Sequence, residues 1–287
     1  MSDTASPRTR SAAWLTLPSL LLFAVMLLTP LSLTLMLSFN EYDAARGATG
    51  GFTLSHYAAI VSDGYYLEIF LRTLRIGLIT TLLCVVIGVP EAYILSRMAA
   101  PWRSVFLMIV LTPLLVSVVV RTFGWSMLLG IEGPVNMLFQ AIGIGKTRML
   151  YTEGAVITAL VHVMLPFMVI PVWTALQKLD PQVEQAALSF GASRLTAIVR
   201  VVLPQIMPGI LSGGLIVFGL AASSFAIPGL LGGRRLKMVA TTVYDQYLHE
   251  LNWPMGAAIA VILLIANLIV MLTCHRVVER QYRRRLG

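Results

Sequence analysis

Residues 180–208 read DPQVEQAALSFGASRLTAIVRVVLPQIMP, a polar interruption of an otherwise apolar chain. Asp180 is a good N-cap, and Pro181 suits the first helical position, where a missing amide donor costs nothing. A helix therefore starts there. Val183, Ala186, Ala187 and Phe190 recur at three- and four-residue spacing and form a narrow apolar face, and Gly191 can supply a left-handed C-terminal turn. Ser193 is placed to cap a second helix that carries Arg194 and Arg200 and runs through Leu203 and Pro204 into the next apolar stretch. The expected product is a short helix lying across one mouth of a helical bundle. On physical grounds it is either a plain amphipathic connector or a knob, because alanines at 186 and 187 let a partner's backbone approach closely.

The composition around this segment is that of a membrane protein. Of the 287 residues, 57% are hydrophobic and 12% charged, against about 25% charged in an ordinary soluble domain. No polar block is long enough to fold separately, so a single integral membrane domain is expected over residues 11–275. A helix needs about 20 mostly apolar residues to cross the hydrocarbon. The runs Ser11 to Asn40, Gly154 to Gln177, Val201 to Gly233 and Leu251 to His275 meet this plainly. Ile76 to Ser96, which contains Glu91, and Ser104 to Val120, which stops at Arg121, are shorter and are also compatible with buried or re-entrant helices. Six spans in an all-α fold are expected.

With six spans both termini share one side. That side collects Arg8, Arg10, Arg97, Arg103, Lys178, Arg194, Arg200, Arg276, Arg280, Arg283, Arg284 and Arg285 against the acids Asp3, Glu91, Asp180, Glu184 and Glu279. Excess Lys and Arg mark the cytoplasmic face. A tail at 1–10, the connecting loop at 178–204 and a basic tail at 276–287 are therefore expected inside. The net charge of +8 is topological bias and attraction to anionic lipid headgroups, and implies no nucleic-acid partner. The first apolar run is too long for a signal peptide and lacks a small-x-small cleavage site, so it reads as an uncleaved helix. Cys84 and Cys274 have no ligand-spaced neighbours and read as structural.

Three external segments remain: Glu41 to Arg75, Arg121 to Glu153 and Arg234 to Glu250. The first includes HYAAIVSDGYYLEIF, expected as a short interfacial helix anchored by Tyr65, Tyr66 and Phe70. GIGKT at 143–147 is not a phosphate loop, because Gln140 stands where the pattern needs its first glycine and no strand precedes it.

Ala186, Ala187, Gly191, Ala192, Leu203 and Pro204 stand where the EAA loop of importer-type ABC-transporter permeases carries its two alanines, its glycine and its distal Leu-Pro. The chain resembles that family. GVPEAY at 88–93, LTPLLVSVVVRTFGW at 111–125, HVMLPF at 162–167, SSFAIPGLLGG at 223–233 and NWP at 252–254 look like its spermidine/putrescine-type subfamily. Glu91 departs from the small or apolar residue usual there. The family's EAA glutamate falls on Gln185, with Glu184 one position earlier. The resemblance implies that either Glu184 reaches round to meet a basic residue of an ATPase, or the Gln185 amide bonds in its place.

The resemblance further implies a bacterial inner-membrane permease that forms half a pore for polyamines or a related solute. It would work with a second permease subunit, two ABC ATPases that bind the ATP, and a periplasmic solute-binding protein. No cofactor, metal or catalytic residue is expected on this chain. Pore or gate candidates are Glu91, Arg121, Trp125, Ser223, Ser224, Phe225 and Pro228. Arg121 suits contact with a binding protein, repulsion of cations, or snorkelling to the interface; Phe225 and Pro228 suit either a helix break with a gate or a plain helix end. An ion-driven secondary transporter is the rival reading, but the inverted repeats and charged midplane breaks it requires are not visible.

Overall fold

The computed structural model describes residues 7–43 and 47–286; Asp3 and most of the expected N-terminal tail lie outside them. The elements are α1 (Pro7–Leu37), β1 (Asn40–Asp43), β2 (Gly47–Phe52), α2 (Ser55–Ser62), α3 (Gly64–Arg97), α4 (Trp102–Leu115), α5 (Val118–Leu129), α6 (Pro134–Ala141) and α7 (Glu153–Gln177). They continue with α8 (Pro181–Ser189), α9 (Arg194–Ala197), a π-helical turn (Ile198–Val202), α10 (Leu203–Gln205), α11 (Met207–Ala222), a second π-turn (Pro228–Gly232), α12 (Val239–Leu248) and α13 (Trp253–Leu286). Among the described residues the fold is all-α apart from one antiparallel ribbon, β1 on β2.

Among the described residues four helices are long and apolar enough to cross a membrane, and the number reaches six if each of two bent pairs counts as one span. Two runs read as spans are bent. Ser104 to Val120 is broken at Val116–Ser117, so that α4 meets the following helical segment at 99°. Val201 to Gly233 is not one helix either: a 69° bend at Ile206 separates α10 from α11, and α11 ends at Ala222. The interfacial helix around Tyr65 is two helices. Asp63 caps the second, its carboxylate accepting from Tyr65 N at 2.9 Å, so Tyr65, Tyr66 and Phe70 begin the 34-residue α3. That helix is about 50 Å long at 1.5 Å per residue and outruns the hydrocarbon. The charges within it are paired: Arg72 with Glu68, and Arg75 with Glu153 at the start of α7. The basic residues of 276–286 likewise continue α13.

α3, α7 and α11 make the central bundle, filled by Ile76, Leu160, Met168, Val169, Val172 and Val217. Lipid is as apolar as these side chains, so close packing over small residues must hold such helices together. Met168 shows how. A Cβ added at Gly88 of α3 would lie 2.9 Å from Met168 Cγ, and one at Gly213 of α11 would lie 2.9 Å from its Sδ. Only glycine lets both helices close on that thioether. Cys84 is buried in the same core. At the end bearing α2 and α12, a smaller cluster of Ile60, Ile69, Val239, Met255 and Ile259 joins those helices to α3 and α13. α1 stands outermost, with nothing buried between Thr16 and Leu37.

Candidate functional sites at the two ends of the bundle

At one end α7 turns into α8 through local signals that act as the sequence suggests. Asp180 Oδ1 accepts from Gln182 N at 2.9 Å. After Ser189 the amides of Gly191 and Ala192 return to the carbonyls of Leu188 (3.0 Å) and Ala187 (3.1 Å), with Gly191 at φ 84°. This is a Schellman turn, which requires the left-handed glycine. Ser193 Oγ then accepts from Thr196 N at 3.2 Å and starts α9. Leu203 and Pro204, half-buried, follow the first π-turn, so the link into α11 is a bent elbow and not a straight rod.

The faces of α8 are sharply different. Glu184 is only 8% exposed: Tyr93 OH donates to its Oε1 at 2.7 Å, and Arg97 forms an ion pair with its Oε2. The Arg97 guanidinium also sits 5.3 Å from the Tyr93 ring centroid. Both carboxylate oxygens are thus engaged by the end of α3, and Glu184 does not project outward as an acid for another protein. Gln185 and Ala186 point away from the bundle, Ala187 is half-buried, and Val183 is exposed. Phe190 is 93% exposed. An apolar patch on a short capped helix is thereby presented clear of the bundle.

The opposite end holds a cavity of about 940 Å³ between the start of α5, the second π-turn and α12. Val119, Phe123, Phe225, Leu230 and Thr241 supply walls, and Arg234, Lys237, Tyr244, Asp245, His249 and Glu250 supply polar groups. Lys237 Nζ meets Asp245 Oδ2 at 2.7 Å, and His249 Nδ1 lies 3.1 Å from Oδ1. Gln246 Nε2 donates to Glu250 Oε2 at 2.6 Å. Phe225 and Tyr244 stack with centroids 5.8 Å apart at 15°. Behind this stack lies a second cavity of about 400 Å³, reached by Ser223 and Asn267, so the stacked rings form a partition.

The sequence candidates are dispersed by the structure. Phe225 lines both cavities. Ser223 and Ser224 form the break after α11, with Ser223 Oγ bonded back to Gly219 O at 2.8 Å, and Pro228 is buried at the start of the second π-turn. Trp125 Nε1 donates to His162 Nδ1 at 3.3 Å. Arg121, on the same helix, has buried Nε and Nη1 with no hydrogen-bond partner among the described residues. Glu91 is half-buried near the α8 end of α3, far along the helix from the cavity. Lys237, Asp245 and Glu250 were missed, because acids were sought inside spans while these lie in the Arg234 to Glu250 connection. No group of residues suited to hold a metal ion occurs among the described residues.

A bundle of long apolar helices with a short capped helix fastened at one end has the build of a membrane permease subunit. The chain belongs to the binding-protein-dependent transport system inner membrane component family, matched over residues 85–284, and is accordingly a multi-pass inner-membrane component of an ABC importer. It is 33% identical over 241 residues to the spermidine/putrescine transport system permease protein PotB of Escherichia coli K12, covering 83% of this chain and 87% of that protein. The PotB protein of Haemophilus influenzae is 32% identical over 260 residues, covering 90% of each. The fold is similar to that of a bacterial ABC transporter involved in the import of the acidic polysaccharide alginate, with a TM-score of 0.78 at 19% identity over 95% of this chain and 98% of that one.

Proposed function

We propose that this chain forms half of the translocation pore of an ATP-driven importer for linear polyamines such as spermidine and putrescine. The observation that carries the coupling role is the free apolar face of α8, with Phe190 turned outward while Glu184 fastens the helix to α3. In this reading the α8 end and both termini are cytoplasmic. An ABC ATPase receives Ala186, Ala187 and Phe190 in a groove, and Gln185 offers an amide hydrogen bond where an acid would otherwise stand. The second permease subunit completes the pore, two ATPases bind and hydrolyse ATP, and a periplasmic binding protein delivers solute to the α12 end. Nucleotide-driven closure moves α8, and the bends at Ile206 and at Ser223–Ser224 turn that movement into opening at the far end.

The substrate class rests on the PotB relationship. Uptake of labelled putrescine and spermidine into liposomes containing the whole complex and its binding protein tests it; saturable, ATP-dependent uptake is expected, and absence of uptake for both amines refutes the assignment. A second reading, an organic solute bearing an anionic group, is favoured by the unpartnered guanidinium of Arg121. Competition by carboxylate or phosphonate solutes, lost in Arg121→Gln, would support it over the amines.

A further inference from the structure

The lysine in the 940 Å³ cavity carries the same chemical group as the end of a linear amine. Lys237 is a primary ammonium on a four-carbon stem, and it holds Asp245 at 2.7 Å. The cavity therefore already contains an alkylammonium in contact with a carboxylate, supplied by the chain itself. Its size falls in the range of small-molecule sites, about 300–1,000 Å³.

We propose that this cavity is an exchange site for alkylammonium groups: Lys237 occupies Asp245 at rest, and the terminal ammonium of a solute amine takes its place during passage. The inference rests on the amine reading given above and assigns the residues that would handle the solute in this subunit. Three features of the site support exchange over a fixed structural pair.

The first is electrostatic. An ammonium entering as another leaves keeps Asp245 paired throughout, so no buried charge is stranded, and stranding is the costly event for such pairs. The Lys237 side chain keeps 29% of its surface accessible, so its flexible stem can swing outward without unpacking the wall.

The second is the second acid. Glu250 lines the same cavity, and among the described residues its carboxylate accepts from a neutral amide, that of Gln246. A neutral amide leaves the carboxylate's charge uncompensated and further acceptor sites open, so Glu250 can accept an ammonium as well. Two carboxylates in one cavity suit a solute with two separated ammonium groups.

The third is aromatic. The stacked rings of Phe225 and Tyr244, with His249 edge-on to Tyr244 at 5.8 Å, wall the cavity beside Asp245. Such rings attract a cation over their faces and cover the methylene segments between charges. Because Phe225 follows the Ser223–Ser224 break, a shift of that break moves one ring of the pair and changes the hold on the solute.

The test uses the complete transporter and variants at each partner of the ion pair. In nanodiscs without binding protein, labelled spermidine should bind weakly to the wild type. Lys237→Met, which keeps the apolar stem and removes the competing charge, should tighten binding roughly tenfold, and Asp245→Asn should weaken binding and raise the uptake KM by roughly tenfold, the worth of one charge-assisted hydrogen bond. Opposite effects from the two variants are the signature of exchange. Losses of the same sign, or no change in either, would overturn the site and leave a structural pair. If Asp245→Asn fails to assemble, Lys237→Met decides alone, since Asp245 retains His249. Wild-type amine uptake with inert variants removes this site but leaves the amine reading standing; a wild-type complex that takes up no amine removes both.

Discussion

Glu184 and Arg97, 87 residues apart in sequence, close an ion pair that fastens α8 to the end of α3. The helix whose apolar face lies exposed is therefore held from behind by its own chain. Tyr93 supplies the second hold on the same carboxylate.

Breaking that fastening should loosen α8 without unfolding the bundle. Losing one partner of a fully buried pair costs about 3–5 kcal/mol, but the Arg97 side chain is 41% exposed, and about 1–2 kcal/mol is expected after solvent screening. Glu184→Gln should keep thermal stability close to wild type while reducing solute-stimulated ATP hydrolysis. The exchange Arg97→Glu with Glu184→Arg should restore part of it. Full coupling in Glu184→Gln would remove the fastening from the mechanism.

The outward face should behave in the opposite way. Phe190→Ser touches nothing in this chain, so its effect on folding should stay within about 0.5 kcal/mol. Loss of an aromatic anchor at an interface costs about 2 kcal/mol, or roughly thirtyfold in affinity. Titrating purified ATPase against the variant in detergent should show that loss, and Ala187→Trp should abolish association by overfilling the contact. Unchanged ATPase affinity in both variants would place docking elsewhere.

Met168 makes a different demand. Gly213→Ala sets a Cβ against its sulfur, and overpacking of this kind costs about 1–3 kcal/mol. Met168→Ala opens a void, yet the two changes together should cost less than their sum, with a coupling of about 0.5–3 kcal/mol. Thermal melts of the four proteins in one detergent measure it, and simple additivity would mean that the helices separate locally to admit the methyl.

The ion pair beside α12 fixes a pH window. Burial pushes Asp245 upward, but the hydrogen bond and charge of Lys237, with His249, bring it below 3.8 overall. Lys237 is held above 10.5 chiefly by its hydrogen bond to Asp245. A depressed carboxylate stabilises above its unfolded pKa and loses that contribution as pH falls through the lower folded value. A raised lysine stabilises below 10.5 and loses its contribution as pH rises through the higher one. Local stability of α12, followed through the fluorescence of neighbouring Trp253, should therefore be flat between about pH 5 and pH 9 and fall outside that range. Lys237→Met should abolish the alkaline edge.

The legible parts of this structure are those encoded by near neighbours in sequence. Asp180, Gly191 and Ser193 act on backbone groups two or three residues away, and each cap is found where its type and spacing place it. The apolar face of α8 is readable for the same reason. Arg97 with Glu184 is not, because nothing local tells a buried acid which distant cation it will meet. The break at Val116–Ser117 lies inside an apolar run, where Pro113 and the N-cap residue Ser117 mark it only weakly, and so the run reads as a short span or a re-entrant helix. The apolar run begins only after Arg75, but Arg72 and Arg75 are paired with Glu68 and Glu153, and the expected interfacial helix and the span are one helix. Gly47 and Gly50, at positive φ, lie within the antiparallel β1–β2 ribbon, a pairing not expected of the external segment Glu41 to Arg75.

The thioether of Met168, pressed between two bare backbones, has a consequence for leakage. A compressible plug seated against glycines on both sides leaves no continuous gap in which water could line up at that depth. Helices closed on such a plug can swivel slightly around it but cannot part without tearing it out of one seat. The three-helix core is thereby sealed at the depth of Met168, so under the proposed function a path for solute would run along its outer faces and not between α3, α7 and α11.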